Sequence, residues 1–201
     1  MNLFMKYRKV CVDDLSKISI LHRSLFKDHY LGKFTLNFIR RFYSCYLTRN
    51  IIFLIAESED NKVVGFVMGG KSSILAECMN QFMRKFFFQY LVEVIVKPSL
   101  WLYTLKRILI LFRNKIKRDS KLDRTLTWGL LSIGIDKQYQ GKGVAKKLLI
   151  EFELALPLNV SKYILSVKED NKKAIAFYNK NGFVLKTRKR DGLYLEKEIT
   201  R

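Results

Sequence analysis

Residues 140–145 read QGKGVA, and they join an apolar, strand-like run to a run with the apolar spacing of a helix, VAKKLLIEFELAL at 144–156. The first turn of a helix leaves up to four N–H groups without intrahelical partners, and the helix dipole adds partial positive charge there. Gly141 and Gly143 remove side chains from that end, so that a phosphate can reach the N–H groups. We therefore interpret the stretch as a turn that binds a diphosphate.

A P-loop, a dinucleotide-binding turn and a purely structural turn are the alternatives to this interpretation. The chain has neither the GxxxxGK[ST] pattern of a P-loop nor the GxGxxG pattern of dinucleotide-binding folds. A tight strand-to-helix turn followed by solvated lysines remains an alternative, because a GxG pair is common. Positive charge at the same helix end favours phosphate binding, and it comes from Lys142, Lys146 and Lys147.

A second segment, NKKAIAFYNKNGF at 171–183, has the pattern of a helix with one specialised face. Asn171, Ala174 and Tyr178 are three and four residues apart, so they share one side of the helix. A small residue beside polar ones lets a thin, extended chain lie against that side. The alternatives are that Asn171 only caps the helix and that Tyr178 is an ordinary half-buried tyrosine.

The order of elements along the chain is strand, helix, helix, strand, strand, insertion, strand, helix, strand, helix, strand, strand. Alternating and β-rich runs at 51–58 and 62–70 predict an antiparallel hairpin. The insertion covers about 71–127, and its apolar spacing predicts helices at roughly 77–96 and 99–117. We expect one domain over 1–201 that carries this insertion.

Both motifs resemble those of the GNAT acetyltransferase superfamily. The stretch SIGIDKQYQGKGVAKKLL is similar to its acyl-CoA-binding motif, Gln/Arg-x-x-Gly-x-Gly/Ala, through Gln140, Gly143 and Ala145. The second segment resembles the pattern Asn-x-x-Ala-x-x-x-Tyr-x-x-x-Gly-Phe, which it matches at Asn171, Ala174, Tyr178, Gly182 and Phe183. The resemblance is close over 128–199, rests on element order over 6–70, and does not extend to the insertion.

This resemblance implies an α/β (α+β) fold, the GNAT fold. Its central sheet is mixed and mostly antiparallel, and two neighbouring parallel strands, here 128–135 and 162–168, splay apart. It also implies an acyltransferase that passes an acetyl group from acetyl-CoA directly to a primary amine. The residues implied to contact acetyl-CoA are Ile133, Ile135, Gln140, Gly141, Lys142, Gly143, Val144, Ala145, Asn171 and Ala174.

Two catalytic residues follow from the same comparison. Tyr178 is expected to protonate the leaving thiolate. Many relatives carry a glutamate on the strand before the glycine turn, whereas the strand here has no acid and a single hydroxyl, on Ser132. The base is then water or His29, whose unperturbed pKa near 6.5 suits the role. The alternative for His29 is a loop histidine without a catalytic role, and His22 reads as a packing or solvent-facing residue.

The charge of the chain favours anionic partners. It holds 38 Lys and Arg against 18 Asp and Glu, a net charge of +20. A loose resemblance to GNAT proteins of bacterial surface-polysaccharide pathways suggests an amino sugar or a nucleotide-linked amino sugar as acceptor. A protein N-terminus, a lysine or another small amine is the alternative acceptor. A nucleic-acid-binding protein on the same fold is the non-enzymatic alternative, although we expect no nucleic-acid partner.

The insertion is strongly basic, with ten basic and two acidic residues between 79 and 121. It could pack on the domain or on the second subunit of a homodimer, cover the acceptor pocket, or lie on a membrane surface. Three scattered cysteines without a CxxC pair argue against a disulfide framework or a metal site. The N-terminal sequence has no signal-peptide pattern, so we expect a cytoplasmic protein.

Overall fold

The computed structural model describes residues 4–47, 49–102, 104–105, 127–189 and 192–199. Its seven strands are β1 (Met5–Lys9), β2 (Ile52–Ser58), β3 (Val63–Lys71), β4 (Trp128–Ile135), β5 (Lys162–Val167), β6 (Val184–Lys189) and β7 (Gly192–Glu198). Its helices are α1 (Asp14–Leu25), α2 (Leu36–Leu47), α3 (Ser72–Lys85), α4 (Phe87–Val96), α5 (Val144–Leu154) and α6 (Lys172–Lys180). Short 3-10 helices cover Leu31–Lys33 and Lys137–Tyr139, and residues 98–102 and 104–105 are also helical.

The strands form one sheet in the order β1-β2-β3-β4-β5-β7-β6. Every neighbouring pair is antiparallel except β4 and β5, which run parallel. This confirms the mixed, mostly antiparallel sheet that was expected, and the hairpin of β2 and β3 within it. The two central strands β2 and β3 are buried along nearly their whole length, as strands covered on both faces should be.

The sheet separates two groups of buried side chains, one on each face. On one face α5 and α6 pack on the strands through residues that include Leu148, Phe152 and Tyr178. On the other face α1, α2 and α3 pack through residues that include Ile39 and Phe82. A binding site built at the edge of β4 can therefore receive side chains from two independent layers.

A β-bulge interrupts β4 in its middle. Gly69 pairs with Leu130 and Met68 pairs with Ser132, so Leu131 is an extra residue without a partner on β3. Because side chains alternate along a strand, the extra residue changes which face the following side chains occupy. Leu130 belongs to the layer of α5, whereas Ser132 interacts with Tyr43 of α2 on the opposite side.

The insertion is helical where it is described, with bounds that differ from the expected ones. The first helix begins at Ser72, and the segment expected as a single helix at 77–96 is divided at Phe86. The backbone of Phe86 departs from helical angles, with φ −116° and ψ 21°, and its ring packs beside Phe82 with centroids 5.3 Å apart. Most of the second expected helix lies outside the described residues.

Candidate functional site

An opening between β4 and β5 is the central feature of the site. The two strands pair only at Trp128 with Tyr163 and at Gly129 with Ile164, and beyond these pairs they part. The N–H of Asp136 donates to Val64 O at 2.7 Å, so Asp136 is a residue that bonds to β3. In an antiparallel pair, every second residue bonds to the neighbouring strand and the residues between them point the other way. Ile133 and Ile135 therefore direct their N–H and C=O groups away from β3, into the opening.

Gln140 ties the glycine turn to the end of β4. Its side-chain Nε2 donates to the carbonyl oxygen of Ile135 at 3.1 Å. One of the backbone acceptors at the mouth of the opening is therefore already used by the protein. We assign to Gln140 the role of holding the turn against the strand, in addition to any contact with a ligand.

The glycine turn has the backbone that only glycine adopts easily. Gly141 has φ +78° and Gly143 has φ +81°, both in the left-handed region. A Cβ built on either glycine meets no atom within 4 Å, so the space beside them is open. Within the described part of the chain, none of the backbone N–H groups from 141 to 146 donates to a protein acceptor. The first one that does so is that of Lys147, which donates to Gly143 O at 3.0 Å.

These N–H groups fit the diphosphate that the turn was expected to bind. They lie at the start of α5, where the helix dipole adds positive charge. Lys142 and Lys146 are exposed at the same end, while Lys147 pairs with Glu151 at 3.0 Å. Val144 is buried below the turn and Ala145 is half-buried, so they support the turn from inside.

The second motif forms α6, beside the same layer. Asn171 is its N-cap, and the side-chain Oδ1 accepts from the N–H of Ala174 at 3.2 Å. The capping alternative for Asn171 is thus observed, and it leaves the side-chain NH2 group for other partners. Ala174 is half-buried next to it and presents no bulk.

Tyr178 has a buried ring, with 7% of its surface exposed. Burial alone raises the pKa of its hydroxyl to about 12, and no residue in the described ranges hydrogen-bonds to it. The phenol therefore keeps its proton at neutral pH and has no protein acceptor competing for it. Both properties suit a group that donates a proton to a ligand.

His29 lies on the other side of β4, in the loop that joins α1 to α2. Its ring contacts that of Phe26 edge-on, with centroids 5.4 Å apart, and Phe26 in turn packs on Gly134 of β4. Burial lowers the pKa of His29, the charge of Lys168 lowers it further, and Asp170 and Asp28 act in the opposite direction. Since 168 and 170 follow β5, the structure brings His29 to the end of the opening.

A buried hydrogen-bonded pair was not found from the sequence. The hydroxyl of Tyr43 lies 2.7 Å from Nδ1 of His22, and Ser132 on β4 lies close enough to this hydroxyl to influence its pKa. His22 was expected to be a packing or solvent-facing residue; it is 6% exposed, and its Nε2 has no partner among the described residues. Burial lowers the pKa of His22 to about 4, so the ring is neutral at pH 7.

The proton states of this pair follow from its burial. Burial raises the pKa of the Tyr43 hydroxyl well above its usual range, while the nearby Ser132 acts in the opposite direction. Tyr43 therefore keeps its proton at neutral pH and can donate it to Nδ1 of the neutral His22. Ser132 lies on the side of β4 where His29 also lies.

Comparison with known proteins agrees with this geometry. The model of the acetyltransferase (GNAT) family matches residues 108–183, which include the glycine turn, α6 and the second motif up to Phe183. Over that segment the chain is similar to acetyltransferases of this family. Acetyl-CoA is the co-substrate of such enzymes. No curated protein matches the chain.

Solved structures share the fold over nearly the whole chain. One is PaiA N-acetyltransferase from Thermoplasma acidophilum in complex with coenzyme A, with a TM-score of 0.57 and 19% identity, covering 98% of this chain and 100% of that one. Another is YncA, a putative acetyltransferase from Salmonella typhimurium with acetyl-CoA, with a TM-score of 0.61 and 13% identity, covering 98% of this chain and 95% of that one. A third is Ard1 from Thermoplasma volcanium, with a TM-score of 0.58 and 16% identity, covering 98% and 99%. At these identities the structures establish the GNAT fold.

The lowered pKa of His22 predicts a pH-dependent stability. Because its pKa falls from 6.5 to about 4 on folding, the unfolded chain binds the proton more tightly, and stability is lost as pH drops below 6.5. We expect the free energy of unfolding to fall by about 2 kcal/mol from this group between pH 7.5 and 5. Denaturant titrations at the two pH values measure the change.

The variant His22→Gln should remove that part of the pH dependence, while His29→Gln serves as the matched control. If the glutamine variant does not fold, an NMR titration of the His22 ring in the unaltered protein replaces it. A ring pKa of 6 or higher would contradict the assignment.

Proposed function

We propose that the protein transfers the acetyl group of acetyl-CoA to the primary amine of an amino sugar or a nucleotide-linked amino sugar. The observation that carries the proposal is the run of backbone N–H groups from 141 to 146, which lack acceptors in the described structure and stand beside the opening of β4 and β5. Such donors at a helix start suit the diphosphate of coenzyme A. The free edge of β4 suits the amide groups of its pantetheine arm, as an added strand would.

The chemistry is a direct displacement at the thioester. The amine nitrogen attacks the acetyl carbon, the C–N bond forms, and the C–S bond breaks. Tyr178 gives its proton to the departing thiolate, because a thiol with a pKa near 8.5 leaves more easily when it is protonated. The attacking amine must also lose a proton, and His29 is the residue that we assign to accept it, directly or through water.

Ser132 orients the amine in this proposal. Its oxygen accepts an N–H of the attacking nitrogen. His22 remains neutral and fixes the Tyr43 hydroxyl, so it acts as a positioning residue. The bulge at Leu131 is what turns Ser132 toward the layer of α1 and α2, where His29 also lies.

The net charge of the chain supports an acceptor that carries an anionic group. The whole chain carries +20, and among the charges that act on His29 the positive Lys168 stands against Asp28 and Asp170. Polyamines and other cationic acceptors would be repelled by such a field. A sugar amine attached to a nucleoside diphosphate has a reactive nitrogen and a negative group to match these charges.

We expect the diphosphate site to depend on Gly143. The change Gly143→Ala places a methyl group where the ligand approaches and strains the backbone, so the dissociation constant of coenzyme A should rise at least tenfold by calorimetry. Gly182→Ala is the matched control, because Gly182 also has a positive φ, +85°, and a Cβ there makes only ordinary contacts. Both variants should lose about 1–2 kcal/mol of stability. Equal coenzyme A affinity in the two variants would exclude this site.

The acceptor class and the role of Tyr178 are tested together by following thiol release from acetyl-CoA. The panel contains amino sugars, their nucleotide-linked forms, peptides with a free N-terminus, and polyamines. We expect the highest kcat/KM with the sugars, and with that acceptor Tyr178→Phe should lower kcat by about 10²–10⁴. Preference for the peptides would replace the acceptor and leave the transfer reaction intact.

The binding of coenzyme A to Tyr178→Phe should equal that of the unaltered protein, since the phenyl ring is retained. Tyr7→Phe, on the remote strand β1, is the control for loss of a tyrosine hydroxyl. An unchanged kcat in Tyr178→Phe would remove the general-acid assignment.

His29 should determine the acidic side of the pH profile. Its pKa is lowered from 6.5, so kcat/KM should fall as pH drops below that value and the base becomes protonated. In His29→Gln this fall should disappear and the rate should be low throughout. The ammonium of the acceptor titrates independently of the variant, so its contribution is common to both profiles. A profile that is unaltered in His29→Gln would assign the proton to water alone.

A further inference from the structure

The helix α4 exposes a continuous apolar surface that neither the fold nor the proposed reaction uses. Phe88 is 81% exposed and Ile95 is 66% exposed, although both are apolar. The surface continues into the helical residues after Pro98, where Leu102 is 70% exposed. We call this the α4 surface; its members are Phe87, Phe88, Leu91, Val92, Ile95, Val96, Trp101, Leu102 and Leu105.

The orientation of α4 is fixed by its other face. Tyr90 stacks on Phe34 with centroids 5.9 Å apart. Glu93 is 7% exposed and its carboxylate accepts from the N–H of Thr35 at 2.9 Å and from Lys97 at 2.9 Å. Turning the helix to bury the apolar surface would break these bonds and expose Tyr90, so the surface faces outward in the folded protein.

Exposed basic residues precede the α4 surface, and the surface itself holds no exposed acid. Glu93 is the one acidic residue between 84 and 105, and it is buried and paired. Arg84 and Lys85 are exposed just before the surface begins. In the sequence that follows Leu105, residues 106–121 contain seven basic residues and one acidic residue.

We propose that the α4 surface docks on the headgroup region of an anionic lipid bilayer. Large apolar side chains, a tryptophan and flanking cations are the combination that holds an amphipathic helix in the membrane interface. The cations add attraction to anionic headgroups. Within the described ranges no helix combines the length and the apolar composition needed to cross a bilayer, so this contact is peripheral.

A second copy of the chain is a poorer match for the same surface. Pairing two α4 surfaces would bring together two chains that each carry a net charge of +20. An anionic bilayer instead satisfies both the apolar and the charged parts of the surface.

The α4 surface is also connected to the loop that carries His29. The Tyr30 hydroxyl lies 2.8 Å from that of Tyr90 and 3.0 Å from Oγ1 of Thr104. Lys97 donates to the carbonyl of Lys33 at 3.2 Å. Docking therefore holds this loop close to the bilayer. The docking inference itself does not depend on the proposed reaction.

Trp101 provides a direct readout of docking. The chain has two tryptophans; Trp101 is 55% exposed and Trp128 is 8% exposed. Vesicles of phosphatidylcholine with phosphatidylglycerol should shift the emission of the full chain to shorter wavelength and protect it from acrylamide. Vesicles of phosphatidylcholine alone should do so weakly, and Trp101→Phe should abolish the response.

Flotation with the same vesicles tests the surface residue by residue. Phe88→Glu and Val92→Glu should each lower the bound fraction at least tenfold. Leu158→Glu is the matched control, because Leu158 is 90% exposed outside the α4 surface and the variant makes the same change of charge. It should bind almost as the unaltered protein does.

Four results would overturn the proposal. The first is that the protein does not bind the anionic vesicles, and the second is that Leu158→Glu lowers the bound fraction as much as Phe88→Glu does. The third is that Trp101 is protected from acrylamide before lipid is added. The fourth is that the protein forms a dimer without lipid and that Phe88→Glu dissociates it. Protection before lipid would show that another part of the chain covers the surface, and the dimer would show that a second copy does.

Discussion

The early parting of β4 from β5 is the constraint on which the rest of the site depends. A parallel pair that continued would satisfy the backbone of both strands and close the sheet. Here pairing stops after Gly129 and Ile164, so the N–H and C=O of Ile133 and the N–H of Ile135 face an opening, while Gln140 bonds to the C=O of Ile135. Backbone polar groups that are left unpaired need water or a ligand, and a ligand with amide groups can bond to them as a strand does. The open edge is therefore a binding feature built from main chain alone.

In the glycine turn, main-chain groups also form a binding feature, here one for a charged group. A polar opening would accept many extended molecules, but the free N–H groups of 141–146 add a site for a diphosphate at one end of it. Tyr178 belongs to the layer on one face of the sheet, and His29 lies on the other face, near the residues that follow β5. In the proposed reaction, the thioester of a ligand held at the turn and along β4 meets a proton donor from one face and a proton acceptor from the other.

The parts of this site that could be predicted from the sequence are those determined by neighbouring residues. The left-handed backbone of Gly141 and Gly143, the start of α5 and the cap formed by Asn171 depend on side chains within a few positions. The order of elements along the chain was also predicted correctly, because each strand and helix has its own apolar period. The start of α3 and the break at Phe86 were not predicted. Aromatic packing against other elements, and not local periodicity, decides where that segment bends.

The features that were missed depend on pairing between distant strands. The bulge at Leu131 exists only in relation to β3, and nothing in the local sequence marks it. With Leu131 in register, Ser132 would face the layer of α5, away from Tyr43. The approach of Ser132 to the buried pair of Tyr43 and His22 is thus a consequence of one extra residue in a strand. The neutral, buried imidazole costs stability in acid, and a site that needs a hydroxyl held in one orientation gives a physical reason for a protein to keep it.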